Sequence, residues 1–150
     1  MKNYVIILIF LFHFSCQKKN QQYQPKGGEE IITMNSISNY DSIINLVKTK
    51  GDTVAYTELF YHLMDSNEEA RTDTLMYYSK IMAEEYNYKK AFLHYFNALC
   101  EKNNINPYKD LSQVDISKLP ISDKKEALFY LNKMLEKKII TKEQFNSVKK

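Results

Sequence analysis

Two stretches decide the fold: Ala55-Tyr56-Thr57-Glu58-Leu59-Phe60-Tyr61-His62-Leu63 and Ala91-Phe92-Leu93-His94-Tyr95-Phe96-Asn97-Ala98-Leu99. Ala55, Tyr56, Leu59, Phe60 and Leu63 match Ala91, Phe92, Tyr95, Phe96 and Leu99 in type at a constant offset of 36 residues. At 3.6 residues per turn these five positions cover a sector of about 140°, one broad apolar face that has to be buried. Gly51 and Asn87, both natural turn residues, share the 36-residue offset. Tyr77, Lys80 and Phe92 recur as Tyr130, Lys133 and Phe145 at an offset of 53, the extra 17 residues falling in the connection 104–121. The chain therefore reads as a repeat of helix pairs, each covering the apolar face of its neighbour.

Outward from those helices the punctuation is helical throughout. Asp41–Val47 is a short amphipathic piece ended by Gly51, a residue suited to a left-handed cap. Asp52 or Thr53 caps a second helix running to about Asp65. A third starts either at Ser66, which has capping-box spacing to Glu69, or at Thr72-Asp73, and ends near Tyr86. The fourth covers Lys89 to Asn103, and the connection 104–121 holds Pro107, Pro120 and a short turn at Leu111–Asp115. A fifth follows Ser122 as far as Lys138, and Thr141 with Gln144 opens a sixth, with Ile140 and Phe145 placed as a hydrophobic staple. No segment alternates as a strand does, so residues 40–150 are expected to be all-α, in antiparallel pairs.

Composition excludes several classes. With 3 Gly and 3 Pro in 150 residues there is no Gly-rich phosphate loop and no loop-dominated chain. Residues 51–101 carry nine acids against four bases, and residues 122–150 carry eight lysines against four acids. No basic stripe interleaved with aromatics runs through either part, so nucleic acid is not the expected partner.

The N-terminus gives an address. Met1-Lys2-Asn3 precedes the nine-residue apolar run Tyr4–Phe12, which is too short to span a bilayer as a helix. His13-Phe14-Ser15-Cys16 follows, and after Cys16 the chain turns polar. A basic start, an apolar run, a small residue and then Cys resembles a bacterial lipoprotein signal. The resemblance implies a signal peptide over 1–15, acylation of Cys16, and anchorage to a bacterial envelope membrane facing the periplasm or exterior. Residues 16–39 then read as the lipidated cysteine and a flexible tether, and 40–150 as the helical domain. With Cys16 acylated, Cys100 has no disulfide partner and is expected to act as a small buried hydrophobe.

The helical repeat itself resembles the tetratricopeptide superfamily, most of all its SEL-one-like branch. The likeness lies in Ala opening one helix and in Ala127-Leu128-Phe129-Tyr130-Leu131-Asn132-Lys133 in the next. Met134 and Leu135 stand where that family has small residues, which implies a stack more compact than a regular solenoid. In such arrays the first helix of each pair lines a surface that binds a peptide or protein. Glu58, Tyr61 and Asp65, with their 36-residue equivalents His94, Asn97 and Glu101, fall on one sector opposite the apolar face. These six are the expected partner-binding groove, of acidic bias and suited to a basic or amide-rich partner.

No HExxH or CxxC occurs, and the acidic pairs Glu68-Glu69 and Glu84-Glu85 point in different directions on a helix. No metal, cofactor or catalytic set is expected. The expectation is a monomeric, non-catalytic, membrane-anchored repeat lipoprotein that binds another protein. The alternatives are a periplasmic immunity lipoprotein neutralising a toxin and an envelope enzyme acting on cell-wall or glycan substrates.

Overall fold

The computed structural model describes residues 39–108 and 110–150. The signal over 1–15, Cys16 and all but the last residue of the tether lie outside the described residues. Six helices follow in order: α1 Tyr40–Lys50, α2 Thr53–Met64, α3 Glu68–Glu84, α4 Lys89–Lys102, α5 Ile121–Glu136 and α6 Lys142–Ser147. Among the described residues there is no strand, only a single parallel bridge between Asp115 and Lys149. None of these helices is long and apolar enough to cross a membrane.

Local chemistry sets the boundaries. Gly51 closes α1 at φ 59°, and the Asp52 carboxylate accepts from the Val54 and Ala55 amides at 2.9 and 3.0 Å to open α2. Asn67, not Ser66, caps α3 by accepting from the Ala70 amide at 2.8 Å. The Ser66 hydroxyl is already spent on the end of α2, donating to the Leu63 carbonyl at 2.6 Å. Helix α5 likewise starts at Ile121 behind Pro120 rather than at Ser122, and Lys138, at φ 56°, prevents it from continuing that far. The capping box at α6 is complete, with bonds of 2.9 and 3.2 Å between Thr141 and Gln144.

Consecutive helices are neighbours, joined by short links everywhere except between α4 and α5. Helix α1 packs on α2 and α3, α2 on α3, α3 on α4, α4 on α5, and α5 on α6. Of the ten repeat positions, nine are buried and Phe60 is half-buried. Truncating one of the larger ones, such as Leu59, to alanine would cost roughly 2–5 kcal/mol. Alternate helices meet through side chains: Tyr56 and Phe60 of α2 touch His94 of α4, and Lys80 and Glu84 of α3 bond Glu126 and Tyr130 of α5.

Burial corrects one register. Leu75, Tyr78, Ser79 and Met82 of α3 are buried, as are Ala127, Tyr130, Leu131 and Met134 of α5, each pair 52 residues apart. In burial Tyr130 matches Tyr78, whereas Tyr77 is half-buried beside it. The connection after α4 also contributes more than a turn. Val114 and Ile116 are fully buried, and the Ile116 amide donates to the Lys149 carbonyl at 2.8 Å, tying the C-terminal tail to this segment.

Candidate functional site

The six expected groove residues do not share one exposed face. Glu58, Tyr61 and Asp65 of α2 are exposed, and the Tyr61 ring meets Phe60 edge-to-face at 5.5 Å. Their α4 counterparts turn inward. His94 Nδ1 lies 2.9 Å from Tyr56 Oη, and its ring stacks on Phe60 at 3.8 Å. Asn97 Oδ1 is buried with no hydrogen-bond partner among the described residues. Glu101 is only 5% exposed. The two helices differ in what lies over their polar side: α3 and α5 pack on α4 and the Arg71 guanidinium reaches Glu101, whereas α1 and α3 pack on α2 and leave Glu58, Tyr61 and Asp65 exposed.

Glu101 belongs to a polar staple that sequence reasoning missed. Arg71 Nη2 donates to Glu101 Oε1 at 2.8 Å, while Nη1 donates to the Ser66 carbonyl at 3.2 Å and the Met64 carbonyl at 3.4 Å. One guanidinium thus ties the end of α2, the start of α3 and the end of α4, a task for its fixed fork of donors. Composition did carry the signal, since Arg71 is the single arginine in a chain with 20 lysines.

Beside the staple lies a cleft of about 270 Å³ between Glu68, Arg71, Glu101 and the loop from Asn104 to Tyr108. A second hollow of about 420 Å³ adjoins it, sharing Glu68, Glu101 and Asn104 and adding Glu69, Thr72, Asp73 and Lys102. Together they hold four carboxylates against two cations. Tyr108 forms the rim at 49% exposure, and its hydroxyl reaches Met64 Sδ at 3.8 Å. Tyr61, 64% exposed, stands one turn before Met64 on α2. Burial and then the Glu101 carboxylate push the Tyr108 phenol up, which keeps it a hydrogen-bond donor.

Burial also quiets the reactive groups. The His94 imidazole is pushed down to about 4, first by burial and then by Lys90, so it is neutral at physiological pH. Burial pushes the Cys100 thiol up to about 12, leaving it a small apolar filler. Among the described residues no three His, Cys, Asp or Glu side chains gather as a metal set. What the arrangement offers is donors, acceptors and aromatic surface. Comparison of the chain with protein families, with curated proteins and with solved structures finds no match to any of them.

Proposed function

We propose that this protein is a protein-binding module of tetratricopeptide-like helix pairs, held at a bacterial envelope membrane by acylation of Cys16 and having no catalytic role of its own. The observation that carries the binding reading is the acidic cleft rimmed by Tyr108: carboxylates of α3 and α4 line it, and the Tyr108 hydroxyl reaches Met64 Sδ, which follows the exposed Tyr61 on α2. Aromatic and thioether surface is what protein interfaces favour, and the acidic lining suits a partner segment bearing Lys, Arg or amide groups. The contacts of α2 with α4 and of α3 with α5 support the repeat reading. The anchor reading rests on the sequence before Gln17.

The test is affinity capture from the host envelope with the wild-type chain and with Tyr61→Ala/Tyr108→Ala. A partner retained by the first and lost by the second, with helicity unchanged, is the expected result. Equal capture by both removes the cleft as the binding site. Labelled fatty acid should enter the wild-type chain and not the Cys16→Ser variant.

A further inference from the structure

The outer face of α5 is a second surface with its own chemistry. Ala127, Tyr130, Leu131 and Met134 bury one side of this helix in the core. On the opposite side Ile121, Lys125 and Phe129 are spaced by four, within about 80° of arc. Ile121 is 77% exposed, more than any other large hydrophobic among the described residues, and Phe129 is 46% exposed. Both stay in water although the core lies one helix-width away.

Lys125 stands between them without an ion pair among the described residues, whereas Glu126 and Glu136, on either side of Phe129 along α5, are each paired with a lysine. The acids of α5 are all engaged: Asp123 accepts from Asn103 at 3.0 Å, Glu126 from Lys80 at 3.1 Å and Glu136 from Lys133 at 2.8 Å. Lys118, Lys124 and Lys125 form no ion pair among the described residues. The fold gains nothing from lysines at this end of α5, because the helix dipole disfavours cations at an N-terminus. An apolar pair set among unpaired lysines matches a surface that is apolar below and anionic above.

We infer that the α5 face, with Ile121 and Phe129 as anchors, Lys125 between them and Lys118 and Lys124 within three residues of Ile121 in the chain, docks on the interface of an anionic phospholipid bilayer. Apolar side chains enter the boundary between headgroups and acyl chains, and lysines pair with the headgroup phosphates. Two exposed anchors fall well short of the roughly 1,200 Å² that a stable pair of chains buries, which disfavours a second copy as occupant. The choice of a bilayer also rests on the anchor reading. The 22 residues between Cys16 and Asn39 reach no more than about 80 Å even when fully extended, so an acylated chain keeps α5 within that distance of the membrane.

The test does not depend on the anchor. Among the described residues the whole core lies between Ile43 and Val148, so a chain starting at Gln17 keeps it and carries no lipid. With Phe129→Trp in this otherwise Trp-free sequence, emission should shift to the blue on vesicles of phosphatidylglycerol and phosphatidylcholine. It should stay unshifted on phosphatidylcholine alone, and the shift should fade as salt is raised. Lys124→Gln/Lys125→Gln should weaken apparent affinity roughly thirtyfold, since each lysine near an anionic surface contributes about 1 kcal/mol. Phe129→Ser should abolish flotation with anionic vesicles while the circular dichroism spectrum is unchanged.

No binding to anionic vesicles, or equal binding to neutral ones, overturns the inference. So does self-association that Phe129→Ser abolishes in the absence of lipid, which would assign the face to a second copy. If fatty-acid labelling fails at Cys16 but these vesicles bind, the anchor falls and the docking face stands.

Discussion

Asp65 and Glu101 stand 36 residues apart at matching places on α2 and α4, and their surroundings are opposite. Asp65 is exposed at the C-terminal cap of α2, whereas Glu101 is buried with Arg71 at 2.8 Å. The same contrast holds for Glu58 against His94 and for Tyr61 against Asn97. A shared apolar face places both helices in the core, but what lies over the back of each depends on its place in the stack. The polar side of α2 stays exposed, and α4 uses its polar side to hold the fold together.

The sharpest way to break this comparison is Arg71→Met, which leaves the Glu101 carboxylate buried without its cation. Removing one member of a buried pair costs about 3–5 kcal/mol, and that loss should appear as a fall in the urea midpoint. Asp65→Ala, at the matching exposed position, should change stability by less than about 0.5 kcal/mol. Arg71→Met/Glu101→Met should regain most of the loss, because neither charge then has to be desolvated. A loss under about 1 kcal/mol for Arg71→Met would mean that the two carboxylates are not so different.

The turn pair gives a smaller contrast. Gly51 and Asn87 both adopt left-handed backbone, at φ 59° and 54°. A Cβ added to Gly51 would come 2.1 Å from the Tyr86 ring, and that ring is held by its hydroxyl donating to the Lys48 carbonyl at 2.9 Å. Gly51→Ala should therefore cost about 2 kcal/mol or more in thermal unfolding, from backbone strain and the displaced ring. Asn87→Gly should stay within about 0.5 kcal/mol.

A third substitution makes α2 resemble α4. Tyr56 corresponds to Phe92, and only the tyrosine carries a hydroxyl, which lies 2.8 Å from Ser79 Oγ and 2.9 Å from His94 Nδ1. Tyr56→Phe should cost about 1–2 kcal/mol by denaturant titration, the value of buried bonds lost with their partners left behind. Ser79→Ala should then cost less in the Tyr56→Phe background than in the wild type. Equal costs in both would show that the three groups do not act as one chain.

These contrasts mark what was legible in the sequence. The apolar spacing of Ala55–Leu63 and Ala91–Leu99 needs only helical periodicity, and the caps at Gly51, Asp52 and Thr141 need only local chemistry, so both could be read directly. Which polar face is covered is a tertiary property, and Glu101 and Asp65 look alike until α3 and the loop after α4 are in place. The one-residue register between α3 and α5 was hidden by the adjacent pair Tyr77-Tyr78, either of which can match Tyr130. Val114 and Ile116 alternate for too short a distance to declare a strand, and their backbone partner Lys149 lies more than thirty residues away. Tyr108 had no periodic signal because it sits on a loop whose course is set by the end of α4.

The smallest effect expected is in pH dependence, where His94 again contrasts with the exposed Glu58. The folded His94 imidazole titrates at about 4 against an ordinary value of 6.5, because burial, and then Lys90, oppose its charged form. Between those values the unfolded chain takes up a proton that the folded chain refuses, so stability is full above about pH 6.5 and declines as pH falls toward 4. Partial exposure of the ring limits the loss to about 1 kcal/mol. His94→Gln keeps a polar group facing Tyr56 Oη and cannot titrate, so its stability should fall less steeply over that window. Carboxylates held low by ion pairs, such as Asp115 beside Lys149, lose their contribution only at lower pH, so the difference between the two profiles belongs to His94. Parallel profiles would mean that the imidazole exchanges protons freely, and α4 would then be no better covered than α2.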